Sequence, residues 1–242
     1  SAANQLGQSI WYDNISRSLI NSGELKSLIQ VGVSGITSNP TIFEKAISNS
    51  SDYDNDILQA ASLHLTPTQT FYHLAKNDVG VASDLLRPIY DQSNGLDGYI
   101  SLEVNPTLAN STTETISEAI NLFQMLDRPN VMIKVPATTA GIPAIRHLIK
   151  EGININVTLI FSLNMYEQVM ESYIAGLEDR AKLGKDISQI GSVASFFVSR
   201  IDTKIDPMIN KTIKLGNSNS NHLLGSAAIA NATLAYIGFK NT

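Results

Sequence analysis

The sequence predicts an α/β fold in which parallel β/α units form a barrel, and three observations predict it. Short apolar runs alternate with segments of helical periodicity along most of the chain, the pattern of a parallel sheet covered by helices. A doubly wound open sheet, the competing arrangement, usually carries a glycine-rich phosphate turn after an early strand, and no such turn occurs here. Polar and charged residues collect where the apolar runs end, and a barrel draws its chemistry from the C-terminal ends of several strands. The chain has 242 residues, 43% hydrophobic and 16% charged, which is enough for one large core or two small ones. Residues 1–242 read as a single domain, its one long helical stretch being an insertion on a β/α connection.

The first strand is Ile10-Trp11-Tyr12, ending at Asp13 and Asn14. The second, Val33-Ser34-Gly35-Ile36, runs into Thr37-Ser38-Asn39-Pro40. About sixty residues then read as several helices, through Asp56-Ile57-Leu58, Phe71 to Leu74 and Val79 to Tyr90. They form an insertion on one β/α connection. Thr66-Pro67-Thr68-Gln69 offers an N-cap, a proline at the first helical position and a Gln able to close a capping box. The third strand spans Gly98 to Val104, with Glu103 and Asn105 at its end. In the helix after it, Ile116, Ala119, Ile120, Phe123 and Leu126 recur at three- and four-residue steps, with Glu114 and Glu118 on other faces. The fourth strand, Val131 to Val135, is closed by Pro136, and Gly141-Ile142-Pro143 opens a helix carrying Ile145, Leu148 and Ile149. Asn156 and Thr158 line the fifth strand, Ile155 to Phe161; Ser195, Ser199 and Arg200 lie on or after the sixth, Val193 to Val198. Beyond Arg200 the pattern is helical, broken by a polar loop at Gly216 to Asn221 and ending in an apolar helix from Leu223 to Phe239.

Composition narrows the function. Net charge is -5, from 17 basic and 22 acidic side chains, with no basic block, so no nucleic-acid partner is expected. The absence of cysteine rules out disulfides, thiolate metal sites and cysteine catalysis. His64, His73, His147 and His222 fall at no ligand spacing and read as surface or packing residues, so no metal site is expected. Ser1 to Ser9 is polar, unlike a signal peptide, and no segment is apolar for long enough to span a membrane. A cytoplasmic enzyme or binding protein is the expectation.

Lys134 stands out, inside the apolar run Asn130-Val131-Met132-Ile133-Lys134-Val135-Pro136. A strand buried on both faces cannot solvate an ammonium group, so this lysine either snorkels to water on its methylene stem or is favoured in its neutral, nucleophilic form. The second case is how a protein makes a lysine that condenses with a ketone to a Schiff base. Such chemistry also needs a carboxylate to move protons, and Asp13 and Glu103 supply one from each of two other strands. Asp13 has an alternative reading as an N-cap for a helix near Ile15 or Ser16, and Glu103 as a structural ion pair with Lys134. Asn39, Asn156, Thr158 and Ser195 suit the hydroxyls of a sugar or, alternatively, turns and caps. Arg200 suits a phosphate or an exposed ion pair.

Six segments together resemble the transaldolase family, in particular its longer bacterial type. They are Ser9 to Asn14, Gly32 to Phe43, Ser101 to Val104, Ile133 to Thr138, Asn154 to Ser162 and Ser195 to Asp202, spread in the family's order over almost the whole chain. The resemblance implies a TIM (β/α)₈ barrel and a metal-free, cofactor-free transfer of a dihydroxyacetone unit from sedoheptulose 7-phosphate to glyceraldehyde 3-phosphate. Lys134 matches the Schiff-base lysine and Asp13 the proton-transferring carboxylate. Glu103 and Thr158 match the pair that works through a bound water. Asn39 and Asn156 match residues that bind the dihydroxyacetone unit, Thr37, Ser195 and Phe197 match further pocket positions, and Arg200 matches a phosphate-binding arginine. Alternatives on the same fold are an aldolase that releases its three-carbon piece, and a barrel that keeps these residues without turnover. One departure accompanies the resemblance: this chain accounts for about six of the eight β/α units, and the expectation is a barrel domain incomplete at its C-terminal side.

Overall fold

The computed structural model describes residues 2–216 and 218–242. Six parallel strands form one sheet in sequence order: β1 (Ile10–Tyr12), β2 (Val33–Ile36), β3 (Ile100–Glu103), β4 (Val131–Pro136), β5 (Ile155–Ile160) and β6 (Ser192–Phe196). Before β2 come the short helices α1 (Ala2–Gln5), α2 (Arg17–Asn21) and α3 (Glu24–Gln30); between β2 and β3 lie α4 (Pro40–Ser48), α5 (Asp54–Ser62) and α6 (Pro67–Gln92). The later strands alternate with α7 (Thr112–Leu126), α8 (Gly141–Glu151) and α9 (Leu163–Lys182), and α10 (Ser199–Lys214) and α11 (Ala227–Asn241) follow β6. All six strands lie where the apolar runs place them.

The sheet has two faces of different chemistry. Ile100, Leu102, Val131, Ile133, Val135, Ile155 and Val157 are buried in one continuous core against the helices. The alternate residues point to the other face, where Tyr99 and Met132 pack with Trp11 and Val193 in a separate layer toward the strands' N-terminal ends. Above that layer the same face carries Ser101, Glu103, Lys134, Asn156 and Thr158, all buried. A Cβ on Gly35 would overlap the Trp11 indole, so glycine at this position lets the ring lie across β2. The sheet is curved outward-apolar and inward-polar, as a partial (β/α) barrel. Its order runs from β1 to β6, and these two are its edges among the described residues.

Capping chemistry accounts for several helix starts. The Thr66–Gln69 capping box forms in both directions, with Gln69 Oε1 accepting from the Thr66 amide at 2.9 Å and Thr66 Oγ1 from the Gln69 amide at 3.3 Å. Ser16, not Asp13, caps α2 by accepting from the Leu19 amide, which removes the capping alternative for Asp13.

Three boundaries differ from the sequence reading. Phe71 to Leu74 and Val79 to Tyr90 belong to one 26-residue helix, α6. The polar step between them looks like a break because Asp78 is charged, yet Asp78 is only 2% exposed and binds Arg17 and Tyr53. The polar segment after Gly216 is not all loop: Ser218–Leu223 forms a 3₁₀ helix, while Asn217 lies outside the described residues. The last helix begins at Ala227 rather than Leu223, after a turn through Gly225 at φ +67°. Asp202 on α10 accepts from the Ala228 amide at 2.9 Å and so fixes that start.

Candidate active site

Register brings the central residues together. Glu103 on β3 is paired with Lys134 on β4, and Lys134 with Asn156 on β5. In-register residues of parallel strands point the same way, so all three face the barrel interior. Lys134 Nζ lies 3.7 Å from Glu103 Oε2, with the two side chains 8% and 11% exposed. The lysine therefore does not snorkel to bulk water. Nζ donates instead to the Ser38 carbonyl at 3.2 Å and to Thr37 Oγ1 at 3.4 Å. Burial raises the Glu103 carboxyl above the usual carboxylate range, and the adjacent Lys134 charge pulls against that rise.

The turn from β2 into α4 supplies that contact. Ser38 Oγ donates to the Ser101 carbonyl at 2.7 Å and ties the turn to β3. Asn39 caps α4, its Oδ1 accepting from the Ile42 amide at 3.0 Å, and Pro40 occupies the first helical position. Asn39 is thus a cap and also part of the cleft wall.

A cleft of about 430 Å³ opens above this layer. Of the residues singled out from sequence, Asp13, Asn39, Glu103, Lys134, Thr158, Phe197 and Arg200 line it. Thr37, Asn156 and Ser195 do not, and two of them form the floor beneath. Asn156 Nδ2 donates to Ser101 Oγ at 2.9 Å while its Oδ1 accepts from Ser195 Oγ at 2.9 Å, which fixes the amide's orientation. Thr37 reaches the site through its bond to Lys134. On the far wall the Arg200 guanidinium lies 4.5 Å from the Phe197 ring centre, and Phe197 stacks on Phe161 at 5.1 Å. That replaces the exposed ion pair as the alternative for Arg200. None of the four histidines lines the cleft.

Sequence reading missed three contributors. Leu159 lines the cleft at φ +61°, where the β5–β6 register shifts between Val157 and Ile160. A left-handed non-glycine residue at a bulge is strained and re-aims the strand end, but neither is visible in an apolar run. Glu118, placed on an outer face of α7, accepts from the Asn105 amide at 2.5 Å and holds the turn that follows Glu103. Lys45 on α4 also lines the cleft. Both look like solvent residues because their helical faces are not apolar.

The model of the Transaldolase/Fructose-6-phosphate aldolase family matches residues 10–242. The chain belongs to this family. It is 50% identical to transaldolase 2 of Nostoc sp. (strain PCC 7120), over 98% of this chain and 64% of that protein. It is 48% identical to the transaldolase of Trichodesmium erythraeum, over 97% of this chain and 63% of the relative. For the transaldolase of Saccharopolyspora erythraea the identity is 46%, over 99% and 64% respectively. The chain thus spans less than two thirds of the length of these transaldolases, and the six strands supply about six of the eight units of a (β/α)₈ barrel.

Proposed function

We propose that this chain carries the Schiff-base site of a transaldolase, moving a dihydroxyacetone unit from sedoheptulose 7-phosphate to glyceraldehyde 3-phosphate and yielding erythrose 4-phosphate and fructose 6-phosphate. The observation that carries the proposal is a buried lysine, Lys134, 3.7 Å from the carboxylate of Glu103 at the base of an open cleft. The names of the related proteins support the reaction type.

The residues take the following roles. Once Lys134 has given up a proton, its amine adds to the ketose C2 carbonyl; the carbinolamine then loses water to give a protonated imine. Glu103, with Thr158 placing a water beside it, gives and takes the protons of these steps. Asp13, at the mouth of the cleft, removes the C4 hydroxyl proton. The C3–C4 bond then breaks, its electron pair moves onto the imine as an enamine, and the aldose leaves. Addition to the acceptor aldehyde and hydrolysis run the sequence in reverse. Asn39 meets the substrate hydroxyls from the cleft wall, while Asn156 with Ser195, and Thr37 through its bond to Lys134, support the enamine from beneath; Phe197 and Arg200 receive the distal, phosphorylated end. Protonated nitrogen absorbs the electron pair, so the scheme uses no metal or cofactor. The same chain would work in the cytoplasm, where sugar phosphates circulate; no helix of the described residues is long and apolar enough to cross a membrane.

Borohydride reduction in the presence of fructose 6-phosphate tests this. Mass spectrometry is expected to find the three-carbon adduct on the Lys134 peptide, and Lys134→Ala to abolish it with unchanged circular dichroism. Adduct formation in the alanine variant would remove Lys134 from the mechanism. Dihydroxyacetone release at equal rate with and without erythrose 4-phosphate would replace transfer by simple aldol cleavage.

A further inference from the structure

Lys45 lies in the cleft wall and has no part in the chemistry above. Its placement follows from the helix it occupies. Phe43, fully buried and packed edge-on against Phe71 at 5.6 Å, anchors α4 to the core. Thr41 and Lys45 are four residues apart, so they share a face, and Ile42 adjoins it. All three line the cleft. Helical side chains lean toward the helix N-terminus, which carries the Lys45 ammonium along this face toward the cleft.

The charges in the cleft do not balance locally. Lys45, Lys134 and Arg200 face only Asp13 and Glu103, in a chain whose net charge is -5. Lys134 and Glu103 pair with each other. Among the described residues neither Lys45 nor Arg200 joins a salt bridge. Their elements follow β2 and β6, which are separated by three strands of a curved sheet, so the two cations stand on opposite walls.

We propose that Lys45 is a second anion anchor, facing Arg200 across the cleft and binding the phosphate of a phosphorylated sugar from the α4 side. The inference rests on the Schiff-base reading and extends it to substrate selection. A phosphate monoester carries close to two negative charges, and a lysine acts on it as a point charge while an arginine offers a planar fork. Two cations without a carboxylate partner lining one cleft suit a dianion better than a neutral sugar.

The test measures the sugar concentration that half-saturates borohydride trapping on Lys134, for fructose 6-phosphate and for fructose, in the chain as it stands. Lys45→Met is expected to raise the value for fructose 6-phosphate on the order of tenfold, to leave that for fructose unchanged and to leave maximal trapping unchanged. Lys45→Arg is expected to restore most of the loss, and Lys26→Met, at an exposed position of α3, to change nothing. An unchanged value in Lys45→Met, an equal rise for both sugars, or a similar rise in Lys26→Met overturns the proposal. Absence of trapping in the unsubstituted chain would instead reject the Schiff-base reading. Calorimetric titration with inorganic phosphate then decides the anchor alone: weaker binding in Lys45→Met supports it, and equal or undetectable binding overturns it.

Discussion

Lys134 and Glu103 illustrate how much of this site is set by two side chains held in register. Glu103 is buried on the polar inner face, and desolvation of its charged form outweighs the attraction of Lys134, so its carboxyl titrates above the ordinary range. A carboxylate that serves as a base is available only above its pKa. Trapping of Lys134 is therefore expected to rise with pH through that elevated value, and Glu103→Gln, which cannot titrate, is expected to lose this limb and to slow trapping by about 10²-fold or more. The stability counterpart has the opposite sign. A raised folded pKa means that the folded state holds the proton more tightly, so Glu103 contributes its stability below the unfolded pKa and loses it as pH rises through the folded one. Relative to Glu103→Gln, the unsubstituted chain is expected to become less stable over that interval in urea titrations at successive pH values. A pH-independent difference would show that Glu103 titrates alike in the folded and unfolded states.

At the scale of elements, the long helix α6 is secured by a buried cluster that crosses four segments. Asp78 Oδ1 accepts from Arg17 Nε at 3.0 Å and its Oδ2 from the Tyr53 hydroxyl at 2.8 Å, while Arg17 Nη1 donates to Asp56 at 2.6 Å. Arg17 also lies over the Tyr53 ring at 4.4 Å. Breaking a buried pair leaves an uncompensated charge, so Asp78→Ala is expected to cost about 3 kcal/mol in urea unfolding. A loss below roughly 1 kcal/mol would place this cluster among surface ion pairs. The same helix shows where sequence patterning stops. The strands were legible because each apolar run is bounded by polar or turn residues, and Lys134 was legible because a charge interrupts such a run. Asp78 interrupts a helix in the same way, but its partners come from residues 25 and 61 positions away, which periodicity cannot reveal. Lys45 and Glu118 were hidden for the converse reason: a helix face that meets a polar cleft, or a backbone turn as Glu118 does, has no apolar signature. Asp13, Thr158 and Arg200 were found because strand ends are few and the barrel directs them all to one face.

Across the whole molecule, burial falls steadily from the middle of the sheet toward β6. Every residue of β4 is buried, β5 is buried except at Leu159, and β6 is only half-buried. Beyond it α10 buries no residue, and α11 buries Ala228 and Ala235 while Ile229, Tyr236 and Phe239 are 63%, 61% and 58% exposed. The two ends of the proposed substrate site therefore stand on ground of unequal rigidity: Lys134 and Glu103 sit in the best-packed strands, Phe197 and Arg200 on the least-packed side. Local opening costs little where few apolar contacts must be broken. In native-state hydrogen exchange, amides of β3 and β4 are expected to exchange only through global unfolding, and those of α10 and α11 orders of magnitude faster. A phosphorylated sugar held by Arg200 is expected to slow exchange in α10 more than in β4, because only the loosely held wall has order to gain on binding. Equal protection of α10 and β4 in the free chain would contradict this gradient. Ligand-induced slowing confined to β4 would leave Arg200 without a part in holding the sugar phosphate.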